Sequence, residues 1–375
     1  MILRILEKTI QKSQKPGFIT LIYGPRRVGK TVFLNEYTRK IPPSNLLWFN
    51  GDTEETQRAL SSTSAVALTQ LVQNIDTIVI DEAQRIPNIG LSLKILIDTF
   101  PQKKFYVTGS SSLILTKGLQ ESLTGRTITH KLYPLSTQEL TESLPIHQKS
   151  AVLAAQLIYG GYPYLQNLHT EEEKKQYLKS LISDYLLKDI LSLQEISHQD
   201  ILKKLAILLA FQIGSEVSLN ELSRNLGIDV KTVARYLFLL EQSFLIFPLG
   251  SYAKNLRNEL TKSKKYYFWD VGIRNALIDQ FLPLDSRTDV GQLWENFLAV
   301  ERLKKHEYAL NQIQTYFWRT YEKQEIDWIE IGNEKLSAFE FHFKDQKVRT
   351  PKAFLDTYHE KVVPISQANY LDFVI

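Results

Sequence analysis

The chain has no cysteine. Disulfide frameworks, thiolate zinc sites, iron–sulfur clusters and a cysteine nucleophile are excluded, and the absence fits a reducing cytoplasm. It also lacks an excess of one charge: 45 Lys+Arg against 41 Asp+Glu leave a net +4. That excludes a polycation that coats nucleic acid, though not a local basic patch. Long hydrophobic runs are missing too. Leu205–Phe211 is the longest apolar stretch, far below the ~20 residues a helix needs to cross a bilayer, so no membrane association is expected. There is no internal repeat, low-complexity tract or long Gly/Ser linker, which implies closely packed neighbouring domains. At the start, MILRILEKTIQKSQ places Ile2, Leu3, Leu6 and Ile10 at helical spacing, with Glu7 and Lys8 interrupting any signal-peptide core. This pattern predicts a docked amphipathic helix.

What is present is an ordinary globular balance over 375 residues, with 43% hydrophobic and 23% charged residues. That length implies two to four domains. Charge is uneven: residues 1–145 carry net +5, residues 146–252 net −1 and residues 253–375 net 0.

The most specific signal is FITLIY followed by GPRRVGKT, from Gly24 to Thr31, and then a helical pattern stopped by Pro42 and Pro43. Strand, glycine loop and helix in that order, with GxxxxGK[ST] spacing, form a phosphate cradle. Gly24 and Gly29 let the loop Gly24, Pro25, Arg26, Arg27, Val28, Gly29 turn its N–H groups onto phosphate oxygens. The helix starting at Lys30, Thr31 and Val32 aims its positive end at the same place. Lys30 supplies a point charge for the β- and γ-phosphates, and the Thr31 hydroxyl is the expected Mg²⁺ ligand. The run IDTIVIDEAQ predicts a buried strand ending in Asp81 and Glu82. In a doubly wound sheet that pair lies beside the phosphate loop. Asp81 is expected to hold Mg²⁺ and Glu82 to polarise the attacking water. A further strand, KFYVT, leads into Gly109, Ser110 and Ser111; Ser110 is the expected γ-phosphate sensor, with Thr108 as the lesser candidate. Arg126, after Gly125, is a candidate arginine finger, with a salt bridge inside its own domain as the alternative.

GPRRVGKT, VIDEAQ, TGSSS, LTGR and YPLS together resemble a large family of prokaryotic AAA+-like P-loop ATPases. That family is similar to the origin-recognition and signal-transduction branch, and its members carry a C-terminal domain of unknown function. The resemblance implies an α/β core over residues 1–145: a five-stranded parallel sheet with strands Phe18–Tyr23, Leu46–Asn50, Thr77–Ile80, Lys104–Thr108 and Thr127–Leu132. It further implies a helical lid over 146–198, in which the Gly161-Tyr162-Pro163 pattern brings Pro163, with Tyr162 beside it, to the adenine.

Residues 199–252 predict a winged helix-turn-helix. Ser218 caps a helix ending near Leu226, Gly227 makes the turn, and Asp229 starts a second helix with Val233, Leu237 and Leu240 on its core face. Lys231, Thr232 and Arg235 are then solvent-facing, where such a module meets a DNA groove. Residues 199–250 are electrically neutral. Lys254, Arg257, Lys262, Lys264 and Lys265, against Glu259, are the expected source of a grip on phosphates. The alternative is a winged helix that packs on the ATPase and reports its nucleotide state.

Residues 253–375 look like the restriction-endonuclease-type α/β core. Glu295 on an amphipathic helix and Asp327 and Glu340 on successive strands, Glu325–Ile331 and Leu336–Phe343, match its acidic positions and could share a divalent metal. The lysine of that pattern is absent: His342 stands there, and Lys344 is displaced along the strand. A nuclease-like fold kept for docking is therefore preferred to a nuclease.

The expectation is an Mg²⁺-dependent ATPase that binds ATP and ADP and acts as a nucleotide-driven switch. Its downstream target would be DNA, a protein partner or a second copy of the chain. An ATP-regulated DNA-binding module and a metal-dependent nuclease are the alternatives.

Overall fold

The computed structural model describes residues 2–109, 121–184, 199–253, 264–320 and 322–375. They fall into two compact units, Met1–Tyr133 and Pro134–Ile375.

In the first unit, strands β1 (Ile19–Tyr23), β2 (Leu46–Asn50), β3 (Thr77–Asp81), β4 (Lys104–Gly109) and β5 (Thr127–Lys131) form one sheet in the order β2-β3-β4-β1-β5. Every pair is parallel. A parallel sheet needs helical crossovers that cover both faces, so its central strands read as unbroken apolar runs. Ile78, Val79 and Ile80 are all fully buried. The covering helices are α1 (Leu6–Ser13), α2 (Lys30–Thr38), α3 (Glu54–Leu60), α4 (Ala65–Val72) and α5 (Ile89–Thr99). Leu60, Leu68, Val72, Leu93 and Leu96 pack with Ile19, Ile78, Ile80, Phe105 and Val107 in the core. The docked N-terminal helix expected from the sequence is present. Leu6, Thr9 and Ile10 face inward, Ser13 Oγ lies 3.1 Å from His130 Nε2, and Gln14 donates to the Tyr106 hydroxyl at 2.8 Å.

The register brings the strand carboxyl ends to one edge. Tyr23 pairs with Gly109 and with Lys131, and Asn50 pairs with Asp81. In such sheets ligands bind outside that edge.

The second unit begins with α6 (Thr137–Thr141), α7 (Ile146–Tyr159) and α8 (Glu171–Asp184). It continues through α9 (Gln199–Phe211), β6 (Glu216–Val217), α10 (Leu219–Leu226), α11 (Val230–Gln242), β7 (Ile246–Ser251) and β8 (Lys264–Phe268). The signals read from the sequence are realised here: Ser218 accepts from Glu221 N–H, Gly227 closes α10 with φ 66°, and Asp229 accepts from Thr232 N–H. β8 pairs antiparallel with both β7 and β6. It therefore joins the sheet of the helix-turn-helix segment although it lies beyond residue 252.

The remaining elements are α12 (Val271–Leu277), α13 (Val290–Ala309), β9 (Gln314–Arg319), β10 (Glu325–Gly332), β11 (Lys335–Phe341), α14 (Lys352–Tyr358), β12 (Val362–Ile365) and α15 (Tyr370–Val374). β9, β10 and β11 are antiparallel, and β12 adds in parallel. The β10–β11 turn uses Asn333 and Glu334, both at positive φ, as a tight hairpin of that twist requires. β11 ends at Phe341, so Lys344 is not on it, contrary to the predicted strand to Phe343. Gly250 and Ser251 of β7 pair in parallel with Tyr316 and Phe317 of β9. One sheet thus runs β12-β11-β10-β9-β7-β8-β6. The fold class is α/β throughout.

Candidate functional site

β1 delivers the chain to Gly24 at φ 156°. A Cβ there would lie 2.2 Å from the Leu132 carbonyl oxygen, so this position needs glycine for close backbone approach. The loop turns through Arg27 at φ 61° and Gly29 at φ 89°, and α2 starts at Lys30. Lys30 is buried, and its ammonium donates to the carbonyls of Gly24 at 3.0 Å and Pro25 at 2.9 Å. Pro25 and Val28 are buried, Arg26 is half-buried, and Arg27, Thr31 and Val32 are exposed.

The Thr31 hydroxyl donates to Asp81 Oδ2 at 2.7 Å. The other carboxylate oxygen accepts from the Thr108 hydroxyl, and Thr108 Oγ1 accepts in turn from Glu82 N–H at 3.1 Å. The start of α2 and the carboxyl ends of β3 and β4 are thereby stitched together: Asp81 is 4% exposed and Thr108 fully buried. Glu82 sits at φ 51°, and its carboxylate accepts from the Gln84 side-chain amide. Gly51, one residue past β2, lets this turn approach, since a Cβ there would lie 2.3 Å from the Glu82 carbonyl oxygen. Lys30, Thr31, Asp81 and Glu82, all expected at this edge, lie there together with Thr108. Ser110, the other candidate, lies outside the described residues. Thr108 could have been found as the last polar residue of an apolar strand adjacent to β3.

The sequence-predicted Arg126 is held elsewhere. Its guanidinium makes a two-pronged contact with Asp98, at 2.6 Å and 3.2 Å, within its own unit. This is the internal salt bridge that stood as the alternative. The Arg126 bond holds the Asp98 carboxyl below its usual range.

Pro163, in the second unit, opens the turn Pro163–Asn167. The glycines before it answer to packing. A Cβ on Gly161 would lie 2.4 Å from the Leu135 carbonyl oxygen, and its N–H donates to Asp270 Oδ2 at 2.7 Å. Burial pushes the Asp270 carboxyl up to about 6. On α11, Lys231 and Arg235 are exposed, while Thr232 is half-buried with its hydroxyl tied to Asp229 at 2.6 Å.

The acidic trio of the last domain surrounds a buried lysine. Among the described residues no group of three or more His, Asp or Glu side chains is placed to hold a metal ion. A cation is present, but it is Lys265. Its ammonium bonds Glu295 at 2.9 Å and also Glu325, and it is 1% exposed. Glu295 further accepts from the Tyr267 hydroxyl at 2.6 Å, and Asp327 accepts from Phe341 N–H at 2.8 Å. This corrects one expectation: Lys265 is buried and is no surface grip for phosphates. Burial, then Glu295 and Glu340, drive the Asp327 carboxyl well up, and burial, then Glu295 and Glu325, raise Glu340 to about 7. Burial alone would lower Lys265, but Glu295, Asp327 and Glu325 outweigh it. Lys265 was missed because it comes from β8, on the far side of β9 and β7 from the acidic strands. Its signal was a lysine heading the aromatic run Tyr266-Tyr267-Phe268 of a buried strand.

A glycine loop between β1 and α2, with an acidic strand end beside it in a parallel sheet, defines a P-loop α/β nucleotide-binding fold. Residues 17–141 match the AAA domain family, so this part of the chain is a P-loop AAA+-like ATPase domain. Two further families, each described as a domain of unknown function, match residues 151–285 and 290–370. Among curated proteins, an uncharacterized protein of Mycobacterium tuberculosis is 27% identical over 339 residues, covering 89% of this chain and 71% of that protein. One of Methanocaldococcus jannaschii is 23% identical over 395 residues, covering 96% and 86%. Among solved structures, the Walker-type ATPase PABY2304 of Pyrococcus abyssi is 16% identical with a TM-score of 0.47, over 72% of this chain and 94% of that one.

Among the described residues no helix is long and apolar enough to cross a membrane.

Proposed function

We propose that the chain hydrolyses ATP with Mg²⁺ in the first unit and uses the cycle as a switch for the second. The observation that carries this is the Thr31–Asp81 contact: an α2 hydroxyl and a β3 carboxylate meet at 2.7 Å beside a buried lysine. Both are hard oxygen donors, the chemistry Mg²⁺ selects, so these two residues would hold the ion, which neutralises developing phosphate charge when bound. The remaining work falls to the chain itself. The N–H groups of Arg26–Thr31 receive the phosphates. Lys30 exchanges its bonds to the Gly24 and Pro25 carbonyls for phosphate oxygens. Thr108 fixes Asp81 and the backbone of Glu82, leaving the Glu82 carboxylate to orient water once Gln84 releases it.

ATP turnover by purified protein tests the reading. Lys30→Ala should abolish nucleotide binding, and Glu82→Gln should lower turnover by ~10²-fold or more while binding persists. Parent-like turnover in both variants would sink it.

The target of the switch is read from β6, α10, α11, β7 and β8. Helix-turn-helix followed by a two-stranded return, with β8 between β7 and β6, supports a winged helix, and exposed Lys231 and Arg235 on α11 support contact with DNA phosphates. Salt-dependent DNA binding should then weaken in the Lys231→Ala/Arg235→Ala double variant. Unaltered binding would turn the assignment toward a protein partner.

A further inference from the structure

The phosphate loop has a tether that none of its own motif residues supplies. Arg4 lies just before α1, and its guanidinium donates to two backbone carbonyls: Val28, in the loop, at 3.0 Å, and Tyr133, at 2.5 Å. Val28 and Tyr133 are both buried. Tyr133 is the last residue of the first unit, where the chain leaves for the second. The same exit segment meets the start of the loop as well. Leu132 N–H donates to the Tyr23 carbonyl at 2.8 Å, and the Leu132 carbonyl is the atom that forces glycine at position 24. The loop is therefore held to the exit strand at Tyr23–Gly24 by backbone and at Val28 by Arg4. Arg4 is itself placed by α1, which is anchored through Leu6, Ile10 and the Ser13–His130 and Gln14–Tyr106 contacts.

We propose that Arg4 is a positioning residue for phosphate binding, and that it couples the loop to the segment through which the first unit connects to the second. This rests on the ATPase reading above. The physical argument concerns the direction of the amides. A phosphate cradle works when successive N–H groups converge on one point, which requires the opposing carbonyls to point away and be satisfied there. Val28 precedes Gly29 and Lys30, whose conformations set that convergence. A guanidinium on the Val28 carbonyl fixes the plane of the Val28–Gly29 peptide and hence the direction of the Gly29 N–H. A charge-assisted bond of this kind is among the stronger ones available to a loop. Two carbonyls on one rigid fork also make their separation constant, so a shift of the loop on phosphate binding is felt at Tyr133.

The test uses the full chain and three variants. Arg4→Met keeps the apolar stem, Arg4→Lys keeps the charge but not the fork, and Lys30→Ala checks the site itself. ATP affinity is read with a fluorescent nucleotide, turnover at saturating ATP gives kcat, and amide hydrogen exchange is followed at 24–31 and 132–133. Arg4→Met should weaken affinity roughly tenfold, with kcat at saturation falling less than affinity. Exchange should speed up at both segments together, and millimolar guanidinium should restore part of the affinity. Arg4→Lys should fall between Arg4→Met and the parent. If Lys30→Ala abolishes binding while Arg4→Met binds within twofold of the parent with unchanged exchange, Arg4 is only a surface anchor and the proposal fails alone. If Lys30→Ala binds normally, the nucleotide reading fails and this proposal with it. A general loss of melting temperature with uniformly faster exchange would also overturn it, because that is what a merely structural residue produces.

Discussion

Two groups of carboxylates in this chain, Asp81 at the end of β3 and Glu295 on α13 with Glu325 at the start of β10, differ in what neutralises them. At the nucleotide edge, Asp81 meets two hydroxyls, from Thr31 and Thr108. In the second unit, Glu295 and Glu325 meet one buried ammonium, from Lys265. A hydroxyl donates one proton and still has lone pairs for a cation, so the Asp81 site is ready to exchange partners. An ammonium brings its own charge and has no lone pair, so the second cluster is already satisfied. Carboxylates are thus left with exchangeable hydroxyl partners in one region and locked into an internal strut in the other; the partner distinguishes them.

The comparison breaks most sharply at Lys265. Lys265→Met removes the cation and leaves buried carboxylates unpaired, which should cost roughly 3–5 kcal/mol and appear as a large drop in the melting transition at pH 8. If the variant melts like the parent, the ammonium is no strut. At the other site the smaller change is informative. Thr108→Val keeps the shape of the side chain but removes the hydroxyl shared by Asp81 and Glu82 N–H. A bond to a charged group contributes ~1.5–3 kcal/mol, so turnover should fall by about tenfold or more with little change in the fold by circular dichroism. Unchanged turnover would mean that Asp81 is positioned without β4.

The smallest expected effect is a slope. Glu340 is raised to about 7 from an ordinary carboxyl value near 4.5. The folded state therefore binds its proton more tightly than the unfolded chain does. Its contribution to stability is present below the unfolded value and is lost as pH rises through about 7. Melting temperature of the parent should decline between pH 5 and 7, and Glu340→Gln should make that decline shallower. An equally steep decline in the variant would assign it to another group, with Asp327 the first candidate.

How much of this could be read from the chain follows from how local each signal is. GPRRVGKT is a contiguous strand-loop-helix signature, and Asp81–Glu82 follows a fully apolar run, so the loop with its helix and the acidic strand end were both legible. Ser218, Gly227 and Asp229 were legible for the same reason, because caps and turns act over three or four residues. Lys265 was not, because its partners are some thirty and sixty residues away and reach it only through the order of strands in the sheet. Arg4 left no trace at all: it bonds to backbone carbonyls, and a carbonyl looks alike under every residue type. Lys344 was misplaced because β11 stops at Phe341, where His342 N–H turns to the Ile365 carbonyl at 3.0 Å.

The short parallel pairing of Gly250 and Ser251 with Tyr316 and Phe317 bears on how the protein can be cut for study. A fragment ending near residue 285 would leave the β7 edge uncovered, and one beginning near residue 290 would bare β9, each presenting unpaired backbone groups to solvent. Raw edges of that kind recruit other chains, so either half expressed alone should self-associate at concentrations where the intact polypeptide stays dispersed.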